Sequence, residues 1–147
     1  MKKPVLLLLA AILTLSTVGA QAADGDHAYT EGPVLLVSFI RTEPGMFEEY
    51  MRYVDTTYKT LLEEFKKQGV ILDYAVYQAI PRDPQDADLI LTVKYKNMAA
   101  LDDLQARTDP VVKQLFGSLP KAASASADRE KLRRQLGTQV VRQLLLK

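Results

Sequence analysis

Residues 34–65 read VLLVSFIRTEPGMFEEYMRYVDTTYKTLLEEF, and this stretch decides the fold. Its opening VLLVSFI is a compact run of aliphatic, β-branched and aromatic residues, which predicts a strand covered on both faces. Beyond Pro44, apolar residues recur at steps of three and four from Phe47 to Phe65, which predicts a long amphipathic helix. Gly69 follows two lysines and is expected to end this helix. The stretch therefore predicts a β-strand followed by a helix with one apolar face.

The residues further along the chain complete a β-α-β-β-α-β order. They predict strands over residues 70–80 and 88–95, a broken second helical region over residues 97–116, a last short helix over residues 128–136 and a final strand over residues 139–146. Within the second helical region, Asn97 is expected to act as a cap and Pro110 to restart the helix. Residues 121–127 predict a flexible or weakly helical linker. This order predicts an α+β, ferredoxin-like fold with a four-stranded antiparallel sheet and helices on one face.

The predicted sheet carries apolar residues on both faces, although its helices can cover only one. The alternating sets are Leu35, Val37 and Phe39 against Val34, Leu36 and Ile40 on the first strand, and Leu89, Leu91 and Val93 against Ile90 on the third. An uncovered apolar face needs a second protein layer, and a second copy of the chain is the most economical one. A homodimer is therefore predicted. An aspartate at Val37 or Leu91 is expected to break it or to abolish folding.

Composition excludes several classes of function. The chain of 147 residues has 19 Lys and Arg against 18 Asp and Glu, without the basic excess that is typical of nucleic-acid-binding proteins. It has no cysteine and one histidine, which excludes disulfides, thiolate metal sites and multi-histidine metal sites. Hydrophobic residues make up 48% of the chain, enough to build a core. We therefore predict no metal, no tightly held cofactor and no nucleic-acid partner.

The N-terminal segment has the three parts of a secretory signal peptide. Two lysines precede an apolar run from Val5 to Leu13, and Ala20-Gln21-Ala22 supplies the small-residue cleavage motif. The apolar run is shorter than the ~20 residues of a membrane-spanning helix, so cleavage is preferred to a permanent anchor. We expect a soluble protein in the bacterial periplasm. The predicted division is a signal peptide over residues 1–22, a flexible lead-in over residues 23–33 and a single domain over residues 34–147.

Residues 34–147 resemble the dimeric α/β-barrel superfamily, in particular its small stand-alone members of the antibiotic-biosynthesis-monooxygenase-like kind. The resemblance rests on the element order, the tyrosine-rich first helix after Thr42-Glu43-Pro44-Gly45, the hairpin and the terminal strand. It implies a ligand site in each subunit between the sheet and the helices. The superfamily includes cofactor-free oxygenases that act on quinol-like or polyketide substrates, haem-degrading enzymes and proteins without a known reaction. The haem-degrading branch uses a His with Asn and Trp. It is not favoured here, because the chain has no Trp and His27 precedes the first strand.

Two functions follow from the resemblance and the composition. The first is an exported homodimer that binds a small apolar or aromatic molecule, as a cofactor-independent monooxygenase-like enzyme. The second is a non-catalytic periplasmic module for binding or assembly. A pocket that contains an unpaired arginine or converging tyrosine hydroxyls would favour the first function. A filled core between the helices and the sheet would favour the second.

The tyrosines are the main candidates for ligand binding. A phenol can hydrogen-bond a carbonyl or quinol oxygen while its ring lines an apolar pocket. On a functional interpretation, Tyr50, Tyr77 and Tyr95 would converge between the first helix and the sheet. The alternative, which we prefer because tyrosines at helical or strand spacing usually serve packing, places them in the core or on the dimer face.

Three charged residues are further candidates. Arg41 ends the first strand and Arg142 lies inside the last, so each can bind a ligand carboxylate or pair with Asp73 or Asp88. Asp73 lies within the second strand, where a buried carboxylate with a raised pKa would act as a base. An ion pair for the arginines, and an exposed or salt-bridged Asp73, are the preferred interpretations. The basic cluster of Arg129, Lys131, Arg133 and Arg134 is interpreted as the exposed side of the last helix.

Overall fold

The fold is a four-stranded antiparallel sheet with the helices packed on one face, seen in a computed structural model that describes residues 27–147. In chain order the elements are β1 (Tyr29–Thr42), α1 (Phe47–Tyr53), a π-helical segment (Val54–Tyr58), α2 (Lys59–Lys67), β2 (Asp73–Gln78), β3 (Leu89–Tyr95), a 3₁₀ turn (Met98–Leu101), α3 (Leu104–Phe116), α4 (Leu119–Arg129) and β4 (Arg133–Leu146). The sheet order is β2-β3-β1-β4. The predicted ferredoxin-like α+β fold is therefore confirmed.

The predicted signal peptide over residues 1–22 lies outside the described residues, as does the beginning of the predicted lead-in. Both stay predictions. Within residues 27–147, no helix combines the length and the apolar character that crossing a membrane requires.

Strand alternation assigns one face of the sheet to the helices. Val34 pairs with Tyr95 and Ile40 with Leu89, and these side chains are all buried under the helix layer. Val37 and Thr92 pair one residue along from Leu36 and Val93, so their side chains lie on the opposite face, which we call the open face. The open face carries Leu35, Val37, Phe39, Tyr77, Ile90 and Val141. The two alternating sets predicted from the sequence therefore lie on opposite faces of the sheet.

The long first helix is confirmed from Phe47 to Lys67, but the π-helical segment lies in its middle. Tyr50, Val54, Tyr58 and Leu62 recur at steps of four and pack in the core. A four-residue repeat drifts around an α-helix, which has 3.6 residues per turn. The wider π turn removes part of this drift and keeps all four side chains on the sheet. Gly69, at a φ of 69°, follows the end of the helix as predicted.

The predicted lead-in is wrong from Tyr29 onwards, because β1 begins there. Tyr29 pairs with Leu146 in β4, so the first and last strands form a ribbon that extends beyond the rest of the sheet. Pro33 lies at a shift of the pairing register between Glu31 and Val34. A residue without an N–H is tolerated at such a bulge, which explains why a proline does not end this strand.

The C-terminal part also differs from the prediction. Residues 121–127 belong to α4, because Ser118 caps the helix by accepting from the backbone N–H of Lys121 at 3.3 Å and alanine favours helix. The predicted helix over residues 128–136 is wrong from Arg133, where pairing with Thr42 starts β4. Pro110 lies inside α3 rather than at a restart, and Val111 beside it is buried in the core. Asn97 caps the 3₁₀ turn as predicted.

Candidate functional site

The three predicted tyrosines do not converge. Tyr50 and Tyr95 are buried on the helix side of the sheet, in adjoining core clusters. Tyr77 pairs with Ile90 on the open face, where its side chain is 54% exposed. Convergence is therefore ruled out for Tyr77, because alternation along β2 turns Val76 and not Tyr77 toward the helices. Tyr50 and Tyr95 lie in the core, which fits the preferred interpretation that these tyrosines serve packing.

The charged candidates form ion pairs or backbone contacts. Lys66 Nζ lies 2.8 Å from Asp73 Oδ1 on the surface, and this hydrogen bond lowers the pKa of Asp73. An exposed carboxyl with a lowered pKa does not suit a base, so the ion-pair interpretation of Asp73 is the one that fits. Arg142 pairs with Glu31 rather than with Asp73 or Asp88, because β1 extends further than predicted. A role of these residues in ligand binding stays a prediction.

Arg41 lies in a groove of about 460 Å³ at the end of the sheet. Its Nη1 donates to the backbone carbonyl of Asp86 at 3.3 Å. In the same groove the Asp88 carboxylate accepts from the backbone N–H and the hydroxyl of Thr42, and Arg134 pairs with Glu43 at 3.3 Å. In this groove Arg134 and Glu43 therefore pair with each other, whereas Asp88 bonds to Thr42 and Arg41 to a backbone carbonyl. The ion pair preferred for Arg41 is not formed among residues 27–147.

Tyrosine side chains fill the space between the first helix and the sheet. Tyr50 is 1% exposed, and Tyr58 packs against both core clusters. Burial raises the pKa of Tyr50, Tyr58 and Tyr95, and for Tyr58 the neighbouring phenols of Tyr50 and Tyr95 raise it further. These hydroxyls are therefore neutral at physiological pH.

Two arginines approach this cluster from the C-terminal part of the chain. Arg133 is 3% exposed; its Nη2 lies 3.0 Å from Glu130 Oε1, and its Nη1 donates to Gln135 Oε1 at 3.1 Å. Arg129 donates to the Tyr53 hydroxyl at 3.0 Å and to Ser126 Oγ at 2.9 Å. The Nε atoms of both arginines are buried, and within residues 27–147 no group accepts a hydrogen bond from them.

The interpretation of the basic cluster as an exposed helix face is therefore wrong for Arg133, and Arg129 is partly buried. Strand pairing opposite the buried Thr42 turns Arg133 inward, whereas Arg134 beside it stays exposed. One sequence signal pointed to Arg129. Ala122, Ser126 and Arg129 recur at helical spacing. Once residues 121–127 form a helix, these residues lie on the face of α4 that packs inward.

A cavity of about 130 Å³ lies beneath α4. Leu61, Val112 and Phe116 form its apolar wall, and the polar groups of Tyr53, Ser126 and Arg129 line it as well. The small side chains of Ala122 and Ala125 leave this space open. A wider groove of about 290 Å³ along Thr56, Thr60 and Leu115 lies beside it, and Phe116 borders both. We call the two together the α4 cavity.

No group of His, Asp and Glu within residues 27–147 is arranged to hold a metal ion. The polar groups of the α4 cavity are a phenol, a guanidinium and the hydroxyls of one serine and three threonines, which suit hydrogen bonding to an organic ligand rather than metal coordination.

No family model matches the sequence, and no curated protein matches it significantly. Solved structures of similar fold include two that cover most of this chain. HapK from Hahella chejuensis is 11% identical with a TM-score of 0.51, over 75% of this chain and 91% of that one. A dimeric ferredoxin-like protein from an uncultured marine organism is 14% identical with a TM-score of 0.50, over 80% and 98% of the two chains. The chain therefore has a ferredoxin-like fold.

Proposed function

We propose that this chain is an exported homodimer in which each subunit binds a small apolar or aromatic molecule in the α4 cavity. The observation that carries the proposal is the cavity itself, in which an apolar wall lies beside the polar groups of Tyr53, Ser126 and Arg129. This combination is typical of small-molecule sites, where apolar contacts supply affinity and a few polar groups fix orientation.

The position of the cavity refines what the resemblance implies. Tyr50, Tyr58 and Tyr95 fill the space directly between the sheet and the first helix. The proposed ligand therefore lies one layer further out, enclosed by the first helix, α3 and α4. For such a ligand the resemblance implies a cofactor-independent oxygenation as the reaction.

Homodimerisation is supported by the surface of the sheet. The open face carries apolar side chains, and β4 is an edge strand on which Val140, Val141, Leu144 and Leu145 are exposed. Long exposed apolar edges promote pairing with another chain. The marine protein of the same fold is itself described as dimeric.

A second candidate function is a non-catalytic module for binding or assembly. The core between the sheet and the first helix favours it, because buried side chains such as Tyr50 and Tyr95 pack that space. In this case the open face would serve assembly alone, and the α4 cavity would bind no molecule.

Native mass spectrometry of the protein purified gently from the periplasm tests the proposal. We expect a dimer of chains that begin at Ala23, carrying a reproducible added mass. Ala125→Leu places a larger side chain in the α4 cavity and should remove that mass. The matched control is Ala123→Leu, on the exposed side of α4, which should retain it. A monomer, or an adduct that Ala125→Leu leaves unchanged, would contradict the proposal.

A further inference from the structure

We propose that the molecule bound in the α4 cavity carries a carboxylate, and that Arg129 binds this group. The inference rests on the proposed function, since it names the chemical class of the ligand for the same cavity. It follows from the charge of the cavity, from the geometry of a guanidinium and from the apolar wall opposite.

The charge of Arg129 indicates that the cavity binds an anion. Arg129 is the charged residue that lines the cavity beneath α4. No carboxylate of residues 27–147 lies within 4.0 Å of its guanidinium, whereas Arg133 nearby has Glu130. Both acceptors of Arg129, the hydroxyls of Tyr53 and Ser126, are neutral, and its Nε is buried without an acceptor. A partly buried cation without a counter-ion is costly, so an anion that enters the cavity would relieve this cost.

The guanidinium of Arg129 indicates which kind of anion fits. A guanidinium presents its donors in a planar fork, which matches the two oxygens of a carboxylate. Arg129 also lies over the Tyr53 ring, 5.6 Å from its centroid, which limits the directions from which an anion can approach. The cavity of about 130 Å³ suits a compact group of this kind.

The apolar wall of the cavity indicates the rest of the ligand. Leu61, Val112 and Phe116 supply an apolar wall on which a ring or a short alkyl chain can pack. The Tyr53 oxygen accepts from Arg129, so its own proton remains available to a ligand oxygen. The site therefore fits a small aromatic or alkyl carboxylate with its carboxylate toward α4 and its apolar part toward α3.

Benzoate and its neutral analogue benzamide are the probes, titrated at pH 7 by calorimetry into the mature protein. We expect benzoate to bind at least about tenfold more tightly than benzamide, because hydrogen bonds to charged groups are stronger than neutral ones. Arg129→Met should abolish this preference, and Arg129→Lys, which keeps the charge but loses the fork, should retain part of it. Arg82→Met removes the same charge from an exposed loop and should leave the preference unchanged.

The outcomes separate the inference from the proposed function. If both probes bind equally and Ala125→Leu weakens both, the α4 cavity binds small molecules but the assignment of a carboxylate is wrong. If neither probe binds the wild-type protein, the inference is overturned, while an adduct in the native mass spectrum would still support the proposed function. The comparison of the two probes on the wild-type protein needs no variant, so it stands even if Arg129→Met fails to fold.

Discussion

Tyr58 lies where the two core clusters meet, and its burial makes stability depend on pH. The folded-state pKa values of Tyr50, Tyr58 and Tyr95 lie above the ordinary value of 10.0. Above that pH the unfolded chain releases phenol protons that the folded chain keeps. The free energy of unfolding should therefore fall as pH rises above about 10, by about 1.4 kcal/mol per pH unit for each proton retained.

Tyr58→Phe removes one of these protons. We expect its free energy of unfolding to decline less steeply than that of the wild type between pH 10 and 11, measured by urea unfolding. The same comparison at pH 8, where these phenols are neutral in both states, gives the effect of the lost hydroxyl on packing. Parallel declines in the two proteins would show that the Tyr58 phenol is not protected by folding.

Gly32 shows how one residue permits the ribbon formed by β1 and β4. A Cβ at this position would lie 2.9 Å from the backbone oxygen of Gln143, so the partner strand would have to shift. Gly32→Ala should lower the free energy of unfolding by about 1–3 kcal/mol, the range for overpacked sites. Gly137→Ala is the control in β4, because its Cβ would meet nothing within 4 Å. Thermal unfolding checks both variants, and equal melting temperatures for Gly32→Ala and the wild type would contradict the close approach.

Leu91 and Val37, for which the sequence predicts the same effect of an aspartate, lie on opposite faces of the sheet. Leu91 is 6% exposed beneath the helices, whereas Val37 lies on the open face. Leu91→Asp should prevent folding, because a buried carboxylate without a partner costs several kcal/mol. Val37→Asp should give a folded monomer if the open face is the dimer interface. Sedimentation velocity and circular dichroism measure the two properties separately.

Gln114→Asp, at an exposed position on α3, changes the charge without touching the sheet and should leave both assembly and folding unchanged. A dimeric Val37→Asp variant would place the interface elsewhere, with the β4 edge as the next surface to test. A folded Leu91→Asp variant would contradict the assignment of the two faces.

The sequence by itself determined the fold class, the order of the elements and the two faces of the sheet. These follow from local patterns, since strands alternate every second residue and helices repeat near 3.6. Tyr50 and Tyr95 could be selected from the sequence as buried candidates for the same reason. The packing of Tyr58 against the core clusters of both tyrosines could not be predicted from the sequence, because it depends on the π turn within the first helix.

Only the tertiary structure decided where Arg129 and Arg133 lie and that a cavity forms beneath α4. Arg133 is buried because β4 pairs with the far end of β1, which places it opposite Thr42 although the two residues are distant in the chain. The same pairing draws Tyr29 into the sheet and gives Arg142 its partner Glu31. Contacts of this kind leave little local signature, because the energy that selects them comes from burial and pairing across the whole domain rather than from neighbouring residues.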